Sequence, residues 1–311
     1  VCGHDCQPDI ARLIDHLFDK RGLCLAKRRL AAMAFMVALR GLLLPASGIA
    51  PLPQARLKAR QQSVRWRSST RGHRMLSLPS LAVVARAVAE ERPDAVVCTG
   101  DLTQRARRSE YARAAQWLAG LGVPVVLEPG NHDLPYYNLW ERFADPFRRF
   151  ERLRAAVGSD FASADVVLVP LRTTVRAQRR FPWSDGVITP RALGETLAQL
   201  AGLAGDPRTI IIVAHHPLLG PQDGAPNPTI GGDAAFAALA AAGAHAVISG
   251  HVHVPFDEVR MRGGRAMRMI GAGTLSTRLR NGAPPSWQVI TCEPGGAIAS
   301  ELRLVPPRAA A

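Results

Sequence analysis

From residue 79 onward, apolar and polar positions follow a recurring unit: a stretch with helical spacing, a short apolar run, then a polar cluster. Residues 81–91 carry the period of an amphipathic helix and Pro93-Asp94 ends it, so Ala95-Val96-Val97-Cys98 reads as a short buried strand. Residues 109–121 are again helical, Gly122 stops them, and 123–127 form the next strand. The unit returns with strands at 166–171, 209–214 and 246–249 and helices at 190–203 and 234–242. Short runs at 267–270, 287–291 and 297–302 predict a closing antiparallel ribbon. Strands and helices alternating at this length predict an α/β fold with helices covering the sheets.

The first 78 residues lack this order. The apolar stretch 30–45 is broken by Arg40 and falls short of the ~20 residues a membrane span needs, so a helix packed on the protein is expected there. Residues 54–74, crowded with Arg, Gln and Ser after Pro45, Pro51 and Pro53, read as linker. The expected division is therefore a basic segment 1–78 of helix plus linker that is not native to the fold, a folded unit 79–305 and a tail 306–311. The break near residue 78, with Val rather than Met at position 1, leads to the expectation that the first block comes from a misread frame or a rearranged start.

Charge sharpens that division. The chain carries 39 basic and 25 acidic residues, net +14, and residues 1–80 hold 14 Lys or Arg against 4 Asp, which is +10 of the total. Such a block admits nucleic-acid contact, yet in its basic run 54–74 Trp66 is the one interleaved aromatic, too few for base stacking. With 47% hydrophobic and 21% charged residues, the chain has too much apolar material for a disordered protein. Five scattered cysteines, an odd number, argue against a disulfide framework and for a reducing, cytoplasmic setting. Cys2 and Cys6, with His4 between them, lack the second pair that a zinc site needs.

The chemistry lies in the polar clusters. Four strands end in Gly100-Asp101, Gly130-Asn131-His132-Asp133, His215-His216-Pro217 and Gly250-His251-Val252-His253. Loops at the carboxyl ends of strands converge on one edge of an α/β sheet, so these clusters are expected to form one site. Any one of them alone reads as a helix cap, an Asx turn or core imidazoles; together they form a set of oxygen and imidazole donors. That set suits Mn, Fe or Zn, and a pair of such ions ~3.5–4 Å apart would clamp a phosphoryl group.

These four clusters, in this order, resemble the calcineurin-like metallophosphoesterase family, over roughly residues 79–304. The run Leu134-Pro135-Tyr136-Tyr137-Asn138-Leu139-Trp140 and the later Phe147-Arg148-Arg149-Phe150 resemble its bacterial branch that includes class III cyclic-nucleotide phosphodiesterases. The resemblance implies an αββα sandwich of two facing sheets flanked by helices, and two divalent ions. It implies that Asp101 bridges them, that Asn131, His215 and His251 complete one site, and that His253 ligates the other. His132 would be the general acid that protonates the leaving alkoxide, with Asp133 orienting it, while a metal-bridging hydroxide attacks phosphorus. His216 would stand behind the ligands, and Arg105 is a candidate contact for substrate phosphate. The implied substrate is a small phosphodiester or phosphomonoester, a cyclic nucleotide among the options; oligomeric state is left open.

One motif of the family is missing. Its Asp-x-His, which follows an opening apolar strand and supplies two ligands to the metal bound by His253, occurs nowhere in this chain. His73 falls near the expected spacing, but Arg71 stands where the Asp should be; His4, Asp5, Asp15 and His16 are weaker substitutes. The gap leaves a second reading, a non-catalytic relative that binds one metal or a nucleotide.

Overall fold

A strand buried on both faces needs apolar layers above and below it. The computed structural model describes residues 28–33, 78–180, 183–221, 229–276, 278–293 and 295–306. It places β1 (Arg28–Met33), β2 (Ala95–Cys98), β3 (Val125–Leu127), β11 (Ser286–Cys292) and β12 (Ile298–Leu304) in one sheet, ordered β12-β11-β1-β2-β3. A second sheet runs β4 (Val166–Leu171), β6 (Thr209–Ala214), β8 (Ala246–Ser249), β10 (Arg265–Gly271), β9 (Phe256–Arg262). The strands β1 to β3 are mutually parallel, as are β4, β6, β8 and β10. A two-stranded parallel piece, β5 (Gly186–Val187) with β7 (Thr229–Ile230), completes the pairing.

The period-2 alternation of each strand decides what it faces. Ala95, Val97, Ile211, Val213, Ala246, Ile248 and Ile290 form one cluster, the seam between the sheets. Their neighbours Val96 and Cys98 point the other way, into a cluster with Leu81, Val84 and Val88 of α1 (Leu78–Glu91) and Leu118 of α2 (Arg108–Ala119). Ile210 and Ile212 share a cluster with Leu200 of α5 (Pro190–Ala201) and with Phe236 and Leu239 of α6 (Gly232–Ala241). Each buried aliphatic side chain contributes about 1.5–3 kcal/mol. The layers are helix, sheet, sheet, helix, as the resemblance implied.

Three expectations need correction. Residues 30–33, expected to begin a helix, belong to β1, which lies between β11 and β2; the sheet thus draws a strand from the block before residue 78. A short apolar run is ambiguous between helix and strand, and backbone pairing on both sides settles it. The expected closing ribbon is split: β10 pairs with β8 and β9, while β11 and β12 pair in the other sheet. Two helices were not anticipated, α3 (Leu139–Ala144) and α4 (Arg148–Val157). The linker 54–74, Cys2, His4, Asp5, Cys6, Asp15, His16, His73 and most of the tail lie outside the described residues.

Candidate metal centre

The loops after β2 and β3 pack back to back, and glycine makes this fit. Gly100 has φ +104°, and a Cβ there would stand 2.5 Å from the Gly130 nitrogen; a Cβ on Gly130 would overlap Asp101 Oδ1. The Asp133 carboxylate fastens the two loops. It accepts from the backbone N–H of Thr103 (2.9 Å), Gly130 (3.0 Å) and Leu102 (3.2 Å), and from the Thr103 hydroxyl (3.1 Å). Burial, and then the neighbouring Asp101 charge, push the Asp133 carboxyl up to about 7. The loop after β4 joins them, Thr174 donating to the Pro129 carbonyl at 2.7 Å.

Asp101, His251 and His253 have φ of +60°, +66° and +61°. A non-glycine residue held in this region costs of order 1–3 kcal/mol, and such strain persists only where the surroundings enforce it. What the strain achieves is convergence. Asn131 Oδ1 lies 3.2 Å from His215 Nε2 and 3.1 Å from His251 Nδ1, and His215 Nε2 lies 3.6 Å from Asp101 Oδ1. His215 Nδ1–H donates to the Thr99 carbonyl at 2.6 Å, which fixes the tautomer and leaves a lone pair on Nε2. Burial lowers the pKa of His215, His251 and His253 below the ordinary imidazole value, so all three are neutral donors at pH 7. An amide oxygen and an imidazole lone pair thus face each other, an arrangement that a cation between them resolves. Ligands about 2.0–2.2 Å from one ion stand roughly 3.0–3.5 Å apart, close to the spacings found here. These residues fit a divalent cation.

His216 is as near to this cluster as His215 and His251, but proximity misleads. Its Nε2–H donates to the Ser184 carbonyl (2.9 Å) and its Nδ1 accepts the Thr173 hydroxyl (2.8 Å), so neither ring nitrogen is free to ligate. It braces the site from behind, and Gly186 packs so tightly on it that a Cβ there would stand 2.7 Å from the His216 Cβ and 2.8 Å from its Cγ. The expected orienter of His132 is corrected likewise. His132 Nδ1–H donates to the Gln104 carbonyl at 3.0 Å, while the Asp133 carboxylate is spent on the loops. The His132 backbone N–H donates to Asp101 Oδ1 at 2.9 Å, tying the loop of His132 to that of Asp101.

Beside His132 opens a cleft of about 710 Å³, lined by Gln104, Arg105, Tyr136, Tyr137, Arg142 and Trp183 among others. Arg105 stacks its guanidinium over Tyr137, 5.4 Å from the ring centre. A smaller cavity of about 160 Å³ sits over Asp101, His132, His251 and His253, with Arg278, Arg280 and Asp185 on its walls. The expected ligands therefore lie together at one rim, with Arg105 at its edge. Gln104, Trp183, Arg278 and Arg280 were not anticipated; the sole signal was the Arg-x-Arg at 278–280, closely following β10.

The His253 half of the centre is poorer. His253 Nδ1–H donates to the Arg278 carbonyl at 2.7 Å, leaving Nε2 as its donor. The strand β1 ends level with β2, Met33 paired with Cys98, and so leaves the sheet at the edge where β2 delivers Asp101. Yet the chain contains no Asp or Glu between Asp19 and Glu90, so no carboxylate follows this strand within reach.

An αββα sandwich whose strand ends gather carboxylate, amide and imidazole donors defines a class of metal-holding α/β folds. The chain belongs to the calcineurin-like phosphoesterase family, which matches residues 75–255, more than half its length. Among curated proteins it is similar to the glycerophosphodiester phosphodiesterase GpdQ of Enterobacter lignolyticus, 33% identical over 135 residues that span 41% of this chain and 44% of that one. The chain thus matches under half the length of that relative. It is also similar to a probable cyclic nucleotide phosphodiesterase of Synechococcus, 24% identical over 248 residues, 74% of this chain and 84% of that one. Two solved structures share the fold. A dimetal phosphatase from Danio rerio has a TM-score of 0.53 at 14% identity, covering 88% of this chain and 98% of its own. The purple acid phosphatase PPD1 of yellow lupin has 0.59 at 13%, covering 90% and 52%.

Proposed function

We propose that the protein is a metal-dependent hydrolase of small phosphate esters, phosphodiesters foremost, with His132 as the general acid. The observation that carries this reading is the Asn131 amide oxygen placed against two imidazole nitrogens, His215 Nε2, whose tautomer leaves a lone pair toward it, and His251 Nδ1. Asp101, Asn131, His215 and His251 would hold a divalent cation, Mn, Fe or Zn by donor chemistry. Bound there, such an ion would polarise a phosphoryl oxygen and acidify water. His132, its Nδ1–H given to Gln104, keeps Nε2 for the proton that the leaving alkoxide takes up. Asp133 acts indirectly, by holding the loops of Asp101 and His132 in place.

The aromatic-walled cleft next to His132 suits the organic leaving group that monoesters and diesters share, and the diester is favoured because both curated relatives are named for diester hydrolysis. The cleft's 710 Å³ lies in the range of about 300–1,000 Å³ usual for small-molecule clefts, which leaves a cyclic nucleotide among the candidate substrates. Arg105, with its backbone N–H bonded to Glu110 and its guanidinium stacked on Tyr137, stands at the cleft as a phosphate contact. Among the described residues no helix is long and apolar enough to cross a membrane, and Cys98 and Cys292 are buried free thiols, which supports a cytoplasmic setting.

The test uses protein reloaded with Mn²⁺ and bis-p-nitrophenyl phosphate as substrate. Hydrolysis is expected, and His132→Ala should lower kcat by about 10²–10⁴-fold with its metal content unchanged. Loss of metal together with activity in that variant would refute the acid role. Metal uptake with no turnover in the unmodified chain would favour the non-catalytic reading.

A further inference from the structure

The two halves of the centre are unequally furnished. On the His253 side, Asp101 and His253 are joined by no third His, Cys, Asp or Glu ligand group among the described residues, where the only such group of three is His215, His216 and His251. The chain leaving β1 brings no carboxylate, since none occurs between Asp19 and Glu90. Asp185 lines the same small cavity, but its carboxylate is paired with Arg180 at 3.1 Å.

What does reach that cavity is positive charge. Arg280 lines it with Asp101, His132 and His253, and its guanidinium makes no hydrogen bond or ion pair among the described residues. Burial first and then the Arg278 charge disfavour its protonated form, while the Asp101 charge favours it. The segment that carries it is braced. The Arg278 carbonyl holds His253 Nδ1–H, the Arg278 N–H donates to Ser276 Oγ at 3.2 Å, and Ser276 is bonded in turn to Thr274 Oγ1 at 2.9 Å. Beyond Arg280 the chain turns tightly through Asn281 and Gly282, φ +51° and +72°, closed by Ala283 N–H to the Arg280 carbonyl. A guanidinium is always charged, and its fork matches two oxygens of a phosphoryl group.

We propose that the site holds one divalent cation, on Asp101, Asn131, His215 and His251, and that Arg280 supplies the second positive charge, gripping the substrate phosphoryl group on the His253 side of Asp101. This rests on the phosphoesterase reading and specifies how that site meets its anion.

Two direct measurements test it on the full chain, stripped and reloaded with Mn²⁺: ions per chain by mass spectrometry, and the affinity for inorganic phosphate by titration calorimetry. About one ion per chain is expected. Arg280→Ala should weaken phosphate binding roughly 10- to 100-fold, the worth of a charge-assisted contact, with the ion count unchanged. Arg280→Lys should recover part of the loss. Arg265→Ala makes the same charge change at the opposite end of β10 and should leave the affinity unaltered. Two ions per chain, or phosphate binding undisturbed in Arg280→Ala, overturns the proposal and leaves the phosphoesterase reading standing. An unmodified chain that takes up no ion and binds no phosphate overturns both.

Discussion

The ends of β6 and β8 and the end of β1 lie at the same rim, but among the described residues only the first two are followed by an imidazole that reaches Asn131. His215 leaves β6 with its tautomer fixed by Thr99, and His251 follows β8 in a strained turn aimed at Asn131. The strand β1 pairs with β11 and β2 along five and four residues, but is followed by a stretch without carboxylates. A strand keeps its place through backbone hydrogen bonds and apolar burial, neither of which depends on the chemistry at its end. The pairing of a strand and the residues that follow it are therefore set by separate parts of the sequence.

The largest effect is expected from removing one imidazole at a time, first His215 and then His253. His215→Ala should lower Mn²⁺ affinity by more than about 100-fold, beyond what loss of a partner behind the ligands costs, whereas His253→Ala should stay within about tenfold of the unmodified chain. Equal losses, measured by competition with a chelator, would mean that both halves hold metal alike.

Gly130→Ala probes the contact between the loops after β2 and β3. Its Cβ would overlap Asp101 Oδ1, so a loss of roughly 1–3 kcal/mol in denaturant unfolding is expected, with metal affinity falling too. An unchanged midpoint would show that the loops are not packed back to back.

The smallest expected effect concerns a carboxyl near the base of these loops. Glu128 is 6% exposed, and burial pushes it up to about 8, Arg172 and Arg154 opposing this in part. A carboxyl whose folded pKa is raised contributes stability that is lost as pH rises through that value. Glu128→Gln should therefore raise the thermal midpoint more at pH 9 than at pH 5, by about 2–4 °C for each kcal/mol regained. Equal shifts at the two pH values would show that Glu128 stays ionised in the fold.

Much of this was open to reading along the chain. The buried strands at Ala95–Cys98, Val166–Leu171, Thr209–Ala214 and Ala246–Ser249 were legible to the residue, because a run apolar on both faces and closed by glycine or a polar cluster has few other uses. Less regular elements were not. The helix Arg148–Val157 buries only Phe150 and Leu153 among many arginines, and β9 turns Val259 and Met261 outward while burying Arg260, so its pattern is inverted. Of the site, the donors showed themselves as motif residues, while their partners did not: Thr99, Gln104 and Ser184 act through backbone carbonyls, which every residue possesses.

The order of apolar runs and polar clusters by itself determined a layered α/β fold and a set of oxygen and imidazole donors at strand ends, because periodicity and residue chemistry are local properties. Folding in three dimensions was needed to bring β1 into the sheet, to occupy His216 with Thr173 and Ser184, to hold His132 by Gln104 rather than Asp133, and to set Arg280 in one cavity with Asp101. Those facts depend on which distant segments share a cavity, and distance along a chain carries no record of distance in space.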